Sequence, residues 1–324
     1  MIIVTGGAGF IGSALVRALN ERGETNVLIV DDVDHEEKEH NIGHLSYEQL
    51  VGIKDFRERL LAGEYDNAGV TAVLHMGACS DTTETDWEYL LDNNVQYSKD
   101  IIRWCFDRGV RCIYASSAAA YGDGEQGYSD SHDLFEELKP LNLYGKSKLE
   151  VDIWARDGKY LDKVVGLRYF NVFGPNEWHK EGMRSVICKK FPELAAGQPM
   201  TLFRSDDPDY QDGGQMRDFI YVKDVVSATL FFMDNEVAGV FNVGTGKART
   251  WNHVAKAMFA ALDKEPSIQY IDMPDNLKGQ YQNFTQADIH KLQEAGFTQP
   301  FMTLEEAIAD YILNYLVPHK HLGE

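Results

Sequence analysis

Cysteine is scarce in this chain of 324 residues: Cys79, Cys105, Cys112 and Cys188 are the full set. No two stand in a CxxC pair or at metal-ligand spacing from a histidine, which argues against a zinc ribbon or a disulfide framework and for reduced, packed thiols. HExxH is missing too, and the terminal PHKH segment reads as an exposed tail, so no bound metal is expected. Positive charge is short as well: 31 Lys and Arg face 51 Asp and Glu, a formal charge of −20. That balance excludes a general polyanion binder, because nonspecific nucleic-acid affinity comes from counterions displaced by many basic side chains. It leaves room for a local pocket that holds an anionic ligand. There is no uninterrupted apolar run of about 18 residues, the length a membrane-spanning helix needs. Nor does a basic and then apolar leader precede the first glycines. The chain is expected in the cytoplasm, with no nucleic-acid and no membrane partner.

What is present has the balance of an ordinary globular protein, 44% hydrophobic and 25% charged. The opening MIIVTGGAGFIGSALVRALNERG reads as an apolar strand, a tight glycine turn and a helix with Ile11, Leu15 and Leu19 near one face. VLIVDD then makes a second strand ending in Asp31. Further apolar runs at 70–78, 110–122 and 163–174 alternate with helix-length stretches, DWEYLLDNNVQYSKDIIRWCFDRG and YGKSKLEVDIWARDG. Such alternation predicts an α/β fold, a doubly wound parallel sheet covered on both faces, with ligands beyond the carboxyl ends of the strands. From about 175 the pattern loosens. Residues 1–174 read as mainly a nucleotide-binding, Rossmann-like domain and 175–324 as mainly a smaller substrate-binding lobe, with about 215–250 returning to the first domain.

Gly6, Gly7, Gly9 and Gly12 permit a tight turn and let a pyrophosphate approach the helix N-terminus, and Asp31 stands where an acidic side chain accepts from the adenosine ribose. Together they predict a bound adenine dinucleotide. Asp31, Asp32 and the acidic HEEKEH stretch would repel a 2′-phosphate and favour NAD, whereas Lys38 and Lys54, folded over the adenosine end, would favour NADP. Tyr144 and Lys148, four residues apart on a helix, share a face. The ammonium is expected to lower the phenol toward the range of an acid/base catalyst and to reach the nicotinamide ribose. Ser117, at a strand end, is placed to orient the substrate oxygen.

With these groups in this order, the chain resembles the extended short-chain dehydrogenase/reductases that modify nucleotide sugars. YFNVFGP belongs to that broad class. HMGACSDTTE, GPNEWHKEGM, RDFIYVKDV and KGQYQNFTQAD are similar to the narrower ADP-heptose 6-epimerase group, over nearly the whole length. The resemblance implies cofactor contacts at Phe10, Ile11, Asp31, Asp32, Lys38, Lys54, Met76, Gly77, Ala78, Cys79, Ser80, Asn93, Tyr144, Lys148, Val172 and Lys180, and a tightly held NADP in each subunit. It implies sugar-nucleotide contacts at Ser117, Asn171, Gly182, Lys189, Phe203, Arg204, Ser205, Asp206, Arg217 and Tyr281. Gly182 stands where a hydroxyl side chain is common and Lys189 where histidine is common. The fork of Arg217 suits a diphosphate.

The implied activity converts ADP-D-glycero-D-manno-heptose to its L-glycero epimer through a transient 6-keto sugar and reversible hydride transfer. That product serves the lipopolysaccharide inner core. Tyr144 and Lys180 would exchange acid and base roles, Ser117 would orient oxygen and Lys148 would support Tyr144. A homo-oligomer, by resemblance a homopentamer, is implied. The alternatives are another nucleotide-sugar epimerase such as a UDP-hexose 4-epimerase, or a reductase. A 4,6-dehydratase is disfavoured because SSAAAYG lacks the carboxylates that eliminate water, and a binding-only protein would not require the Ser/Tyr/Lys set.

Overall fold

The computed structural model describes residues 1–274 and 282–324. Its first part alternates strand and helix: β1 (Ile2–Thr5), α1 (Phe10–Glu21), β2 (Val27–Val30), α2 (Glu36–Ile42), β3 (Gln49–Val51), α3 (Ile53–Leu61), β4 (Ala72–His75), α4 (Trp87–Leu90), α5 (Tyr97–Arg108) and β5 (Arg111–Ser117). The middle holds α6 (Leu143–Asp157), β6 (Val165–Tyr169), β7 (Asn171–Phe173), α7 (Val186–Ala195), β8 (Met200–Phe203), β9 (Met216–Tyr221) and α8 (Val222–Met233). Last come β10 (Gly239–Val243), β11 (Ala248–Thr250), α9 (Trp251–Ala261), β12 (Ile268–Ile271), α10 (His290–Glu294) and α11 (Leu304–Tyr311).

Seven strands form one parallel sheet in the order β10-β6-β5-β4-β1-β2-β3. Parallel neighbours need crossovers, and the helices that supply them cover both faces. Alternate residues therefore enter different cores: Ile2, Val4 and Ile29 pack with α1, while Ile3, Leu28 and Val30 pack with α5. The strand order reverses between β1 and β4, which opens a crevice at their carboxyl ends. Two small sheets, β11-β9-β7 and β12-β8, build the second lobe. The doubly wound sheet with a smaller C-terminal lobe is thus the architecture.

Three local readings change. The apolar run 163–174 is two strands, because the chain leaves the large sheet after Tyr169 and starts β7 in a small one at Asn171. The expected single helix over 86–109 is interrupted by a wide π turn at Leu91–Gln96, between α4 and α5. The tail is exposed only in part: Pro318, His319 and Lys320 face solvent, but His321 and Leu322 are buried, and Leu322 N–H donates to Asn176 Oδ1 at 2.8 Å while its carbonyl lies 2.9 Å from His44 Nε2. Contacts so distant in sequence leave no local pattern.

Candidate active site

The glycine turn is closed by backbone proximity. Gly6 has φ +64°, and a Cβ on it would stand 2.8 Å from the Gly77 backbone; a Cβ on Gly12 would stand 2.0 Å from the Gly6 carbonyl oxygen. These approaches set the start of α1 against the carboxyl end of β4. A Cβ on Gly9 would point into the crevice, 3.8 Å from His179 Nε2 and 3.9 Å from Asp31 Oδ2. The absent side chain leaves a cradle that fits a dinucleotide, with phosphates at the helix N-terminus and a ribose at Asp31. Asp31 is held there by the Ala8 N–H, 3.0 Å from Oδ2. Burial raises its carboxyl above the usual range, against the pull of Lys38.

Lys38 is braced by three oxygens, Asp31 Oδ1 at 3.2 Å, Asp34 Oδ1 at 3.0 Å and the Asp32 carbonyl at 2.9 Å. Burial opposes its charge, but Asp31 and Asp34 outweigh that and raise its pKa. The Asp32 carboxylate instead caps α3, accepting from Ile53 N–H at 3.0 Å. Lys54 points outward, 91% exposed, with Glu58 4.0 Å away. The structure therefore does not bring Lys54 onto the adenosine end.

Behind the crevice a polar chain fixes the loop after β4. The Thr5 hydroxyl accepts from Gly77 N–H at 3.1 Å, so it donates to His75 Nδ1 at 2.6 Å; His75 Nε2–H then donates to Ser98 Oγ at 2.9 Å. Burial depresses His75 to about 3, which keeps this tautomer neutral. Asn94, in the π turn beside the half-buried Asn93, accepts from Cys79 N–H at 2.8 Å and donates to Cys79 O and Ser147 Oγ, each at 3.0 Å. The segment Met76–Ser80 is shaped by these bonds, and the Tyr169 hydroxyl lies 3.5 Å from Met76 Sδ. Sequence reading missed His75 and Asn94; the only signal was a polar residue inside an otherwise apolar strand or helix.

Ser117 ends β5, and Asn142 caps α6 by accepting from Gly145 N–H at 2.7 Å, which puts Tyr144 in the first turn. The Ser117 hydroxyl accepts from Ala119 N–H at 3.1 Å and lies on the side of the Tyr144 phenol, whose pKa it lowers. The expected lowering of Tyr144 by Lys148 is reversed: burial pushes the phenol up, and Ser117 is the group that opposes it. Lys148 Nζ donates to Ala115 O at 2.9 Å and lies 5.9 Å from the Tyr144 ring centroid. Burial brings Lys148 down to about 8, against the raising effect of Asp152 and Cys79. Asp152, one turn beyond Lys148, was also missed. It accepts from Tyr114, Ser116 and the Arg168 guanidinium, each at 2.9 Å and all buried.

Lys180 reaches the same crevice from a 3-10 turn at Trp178–Met183, with Nζ 5.3 Å from the Phe10 ring centroid at the start of α1. Burial and Lys189 lower its pKa, and the buried carboxylate of Glu177 opposes them. Glu177 is anchored by Ser185 N–H and hydroxyl at 2.5 and 2.6 Å and by the Tyr311 hydroxyl at 3.1 Å. Glu181, the residue after Lys180, has φ +45°, a conformation an ordinary side chain adopts at a cost. Lys189 Nζ donates to Gly182 O at 3.2 Å, so the two unusual residues meet. Among the described residues, a Cβ on Gly182 would touch nothing within 4 Å.

Asn171 on β7 and Arg217 on β9 occupy neighbouring strands. Asn283 and Thr285 join them to the 203–206 turn. Thr285 Oγ1 donates to Asn171 Oδ1 at 3.3 Å, Asn283 O accepts from Met216 N–H at 2.8 Å, and Asn283 Nδ2 donates to Asp207 Oδ2 at 3.0 Å. Ser205 Oγ donates to Asp207 O at 2.9 Å, whereas Arg204 pairs outward with Asp272 at 2.8 Å. Val172 lies half-buried on β7. Tyr281 lies outside the described residues.

Known proteins supply the comparison. The chain is 51% identical to ADP-L-glycero-D-manno-heptose-6-epimerase of Nitratidesulfovibrio vulgaris Hildenborough over 324 residues, covering 98% of this chain and 100% of that one. It superimposes on the Helicobacter pylori enzyme of the same name with a TM-score of 0.82 at 28% identity, covering 97% and 95%. The UDP-glucose 4-epimerase of Thermus thermophilus, solved with NAD, gives 0.72 at 26% identity over 96% and 97%. MoeE5, solved with UDP-glucuronic acid and NAD, gives 0.74 at 26% over 96% and 97%. The NADP expectation is corrected by these NAD complexes. The physical reason agrees with them: Lys38 is committed to carboxylates, Lys54 faces solvent, and acidic side chains crowd the end of β2. A family model matches residues 2–244. This chain belongs to the NAD dependent epimerase/dehydratase family.

Proposed function

We infer that the protein is a nucleotide-sugar epimerase that inverts C6 of ADP-D-glycero-D-manno-heptose to give the L-glycero epimer. The observation that carries this reading is 51% identity along 98% of the chain to an enzyme of that name. The glycine cradle, Asp31 and the Met76–Ser80 loop would hold NAD, which when bound takes up a hydride and returns it. Tyr144, as the phenolate, accepts the C6 hydroxyl proton and becomes the neutral phenol, and Ser117, whose hydroxyl favours that phenolate against burial, holds the sugar oxygen. Burial lowers the Lys180 pKa and so eases loss of its proton, which suits a group that takes a proton in one sugar pose and gives it back in the other. Lys148 supplies a cation to the ribose below its pKa of about 8. Asn171, Arg217, the 203–206 turn and Lys189 with Gly182 form the surroundings of the sugar nucleotide. Residues 175–324 act mainly as the substrate lobe, with β10 lent to the large sheet.

A cytoplasmic homo-oligomer, five subunits by resemblance, completes the reading; among the described residues no helix is long and apolar enough to cross a membrane. The test is incubation of the protein with each ADP-heptose epimer, without added cofactor, followed by proton NMR. Interconversion of the two without net oxidation is expected, and conversion of UDP-glucose to UDP-galactose instead would overturn the substrate. Denaturing the same sample should release a nucleotide with the mass of NAD.

A further inference from the structure

Away from the catalytic crevice, Glu37, His40 and His321 each place one ligand atom within 4.8 Å of the others. Glu37 and His40 lie one turn apart on α2, so they share a side of the helix. His321 arrives from the docked tail, its N–H bonded to Glu324 Oε2 at 3.0 Å. The hydrogen bonds around it fix its tautomer. Asn41 Nδ2 donates to Ala8 O at 3.0 Å and to Asn176 O at 3.3 Å, which turns Asn41 Oδ1 toward His321 Nδ1 at 2.8 Å. An amide oxygen only accepts, so Nδ1 carries the proton.

In the neutral ring, Nε2 then presents a lone pair to Glu37 Oε2 at 3.2 Å. That oxygen is buried and, among the described residues, has no hydrogen-bond donor. Two lone pairs facing each other repel, and a cation between them removes the repulsion. Two ligand atoms on a tetrahedral zinc with bonds near 2.05 Å lie about 3.3 Å apart, close to the spacing already present. His40, 53% exposed, can swing in as a second imidazole, leaving the fourth position to water. The Asn41 bond to Nδ1 is the outer contact that orients metal-bound histidines.

We propose that Glu37, His40 and His321 form a site for one divalent transition-metal cation, with zinc as the fitting occupant, that fastens the C-terminal tail to α2. Two imidazoles and a carboxylate are a zinc donor set. The expectation of no metal came from local spacing, and here two ligands lie far along the chain from the third. The clip joins the tail to the helix whose Lys38 braces Asp31.

The test uses the full chain after chelator treatment. Zinc chloride titrated by calorimetry should bind at one equivalent, at least tenfold more weakly to Glu37→Gln and to His40→Ala; both side chains lie on one short helix and carry no core packing. Zinc should also slow carboxypeptidase trimming of the tail in the parent and not in either variant. His319→Gln should bind as the parent does. Absence of stoichiometric binding, unchanged affinity in both variants, or an equal loss in His319→Gln would overturn the site.

Discussion

A lysine buried to 5% exposure, as Lys148 is, holds its proton at a cost. Its pKa of about 8 lies below the ordinary 10.5, so the folded state releases the proton earlier than the unfolded chain while the group stays charged below about 8. Between those values the unfolded chain binds the proton that the folded chain releases. Stability from this group therefore rises as pH climbs from about 8 to 10.5, and the full penalty applies below 8. That penalty is of the order of 3 kcal/mol. Lys148→Met should accordingly raise the unfolding free energy measured in urea at pH 7 by up to about 3 kcal/mol, the gain shrinking toward pH 10.5, while epimerisation falls. Tyr144→Phe keeps the ring and removes the ionisable oxygen; it should retain bound nucleotide and lose roughly 10²- to 10⁴-fold in single-turnover rate. Near-parental turnover would remove Tyr144 from the chemistry. Lys180→Ala should lose about 10²-fold or more in epimer interconversion with nucleotide retained, measured on one preparation.

At the scale of elements, the crossing of β1, α1 and the loop after β4 depends on backbone approach. Gly12→Ala would drive a Cβ to 2.0 Å from the Gly6 carbonyl oxygen, and neither side of that contact is a flexible side chain. We expect a loss of about 2 kcal/mol or more in denaturant unfolding, together with loss of bound nucleotide. Gly182→Ser is the contrast: with no described residue within 4 Å of its Cβ, the fold should be unchanged within about 0.5 kcal/mol. Any effect on KM would then report the substrate directly. The same contrast shows how far the residues could be read. The glycine turn was legible because close approach demands glycine at fixed spacing from Asp31. Asn94 and Asp152 were less so, since one acts through a π turn and the other through a buried cluster drawn from β5, β6 and α6.

For the whole molecule, the large sheet extends beyond the first domain. β10 pairs with β6, and α8 packs against α1 and β5, so a fragment of residues 1–174 would lack an edge strand and a covering helix. Its exposed Leu167 and Val165 should leave it aggregated or unfolded by circular dichroism and size exclusion, while the full chain unfolds in one transition. A cooperatively folded, monomeric fragment would show two separable domains instead.

The sequence by itself determined the sheet, its helical cover, the tight glycine turn after the first strand, and that Ser117 ends a strand while Tyr144 and Lys148 share a helix, because each rests on residues close in sequence. Only the tertiary structure decided that Lys38 spends its charge on Asp31 and Asp34, that burial raises Tyr144 with Ser117 opposing it, and that His321 docks against α2. Charge and burial at a point depend on every chain segment that meets there, and those segments are joined by folding and not by order along the chain.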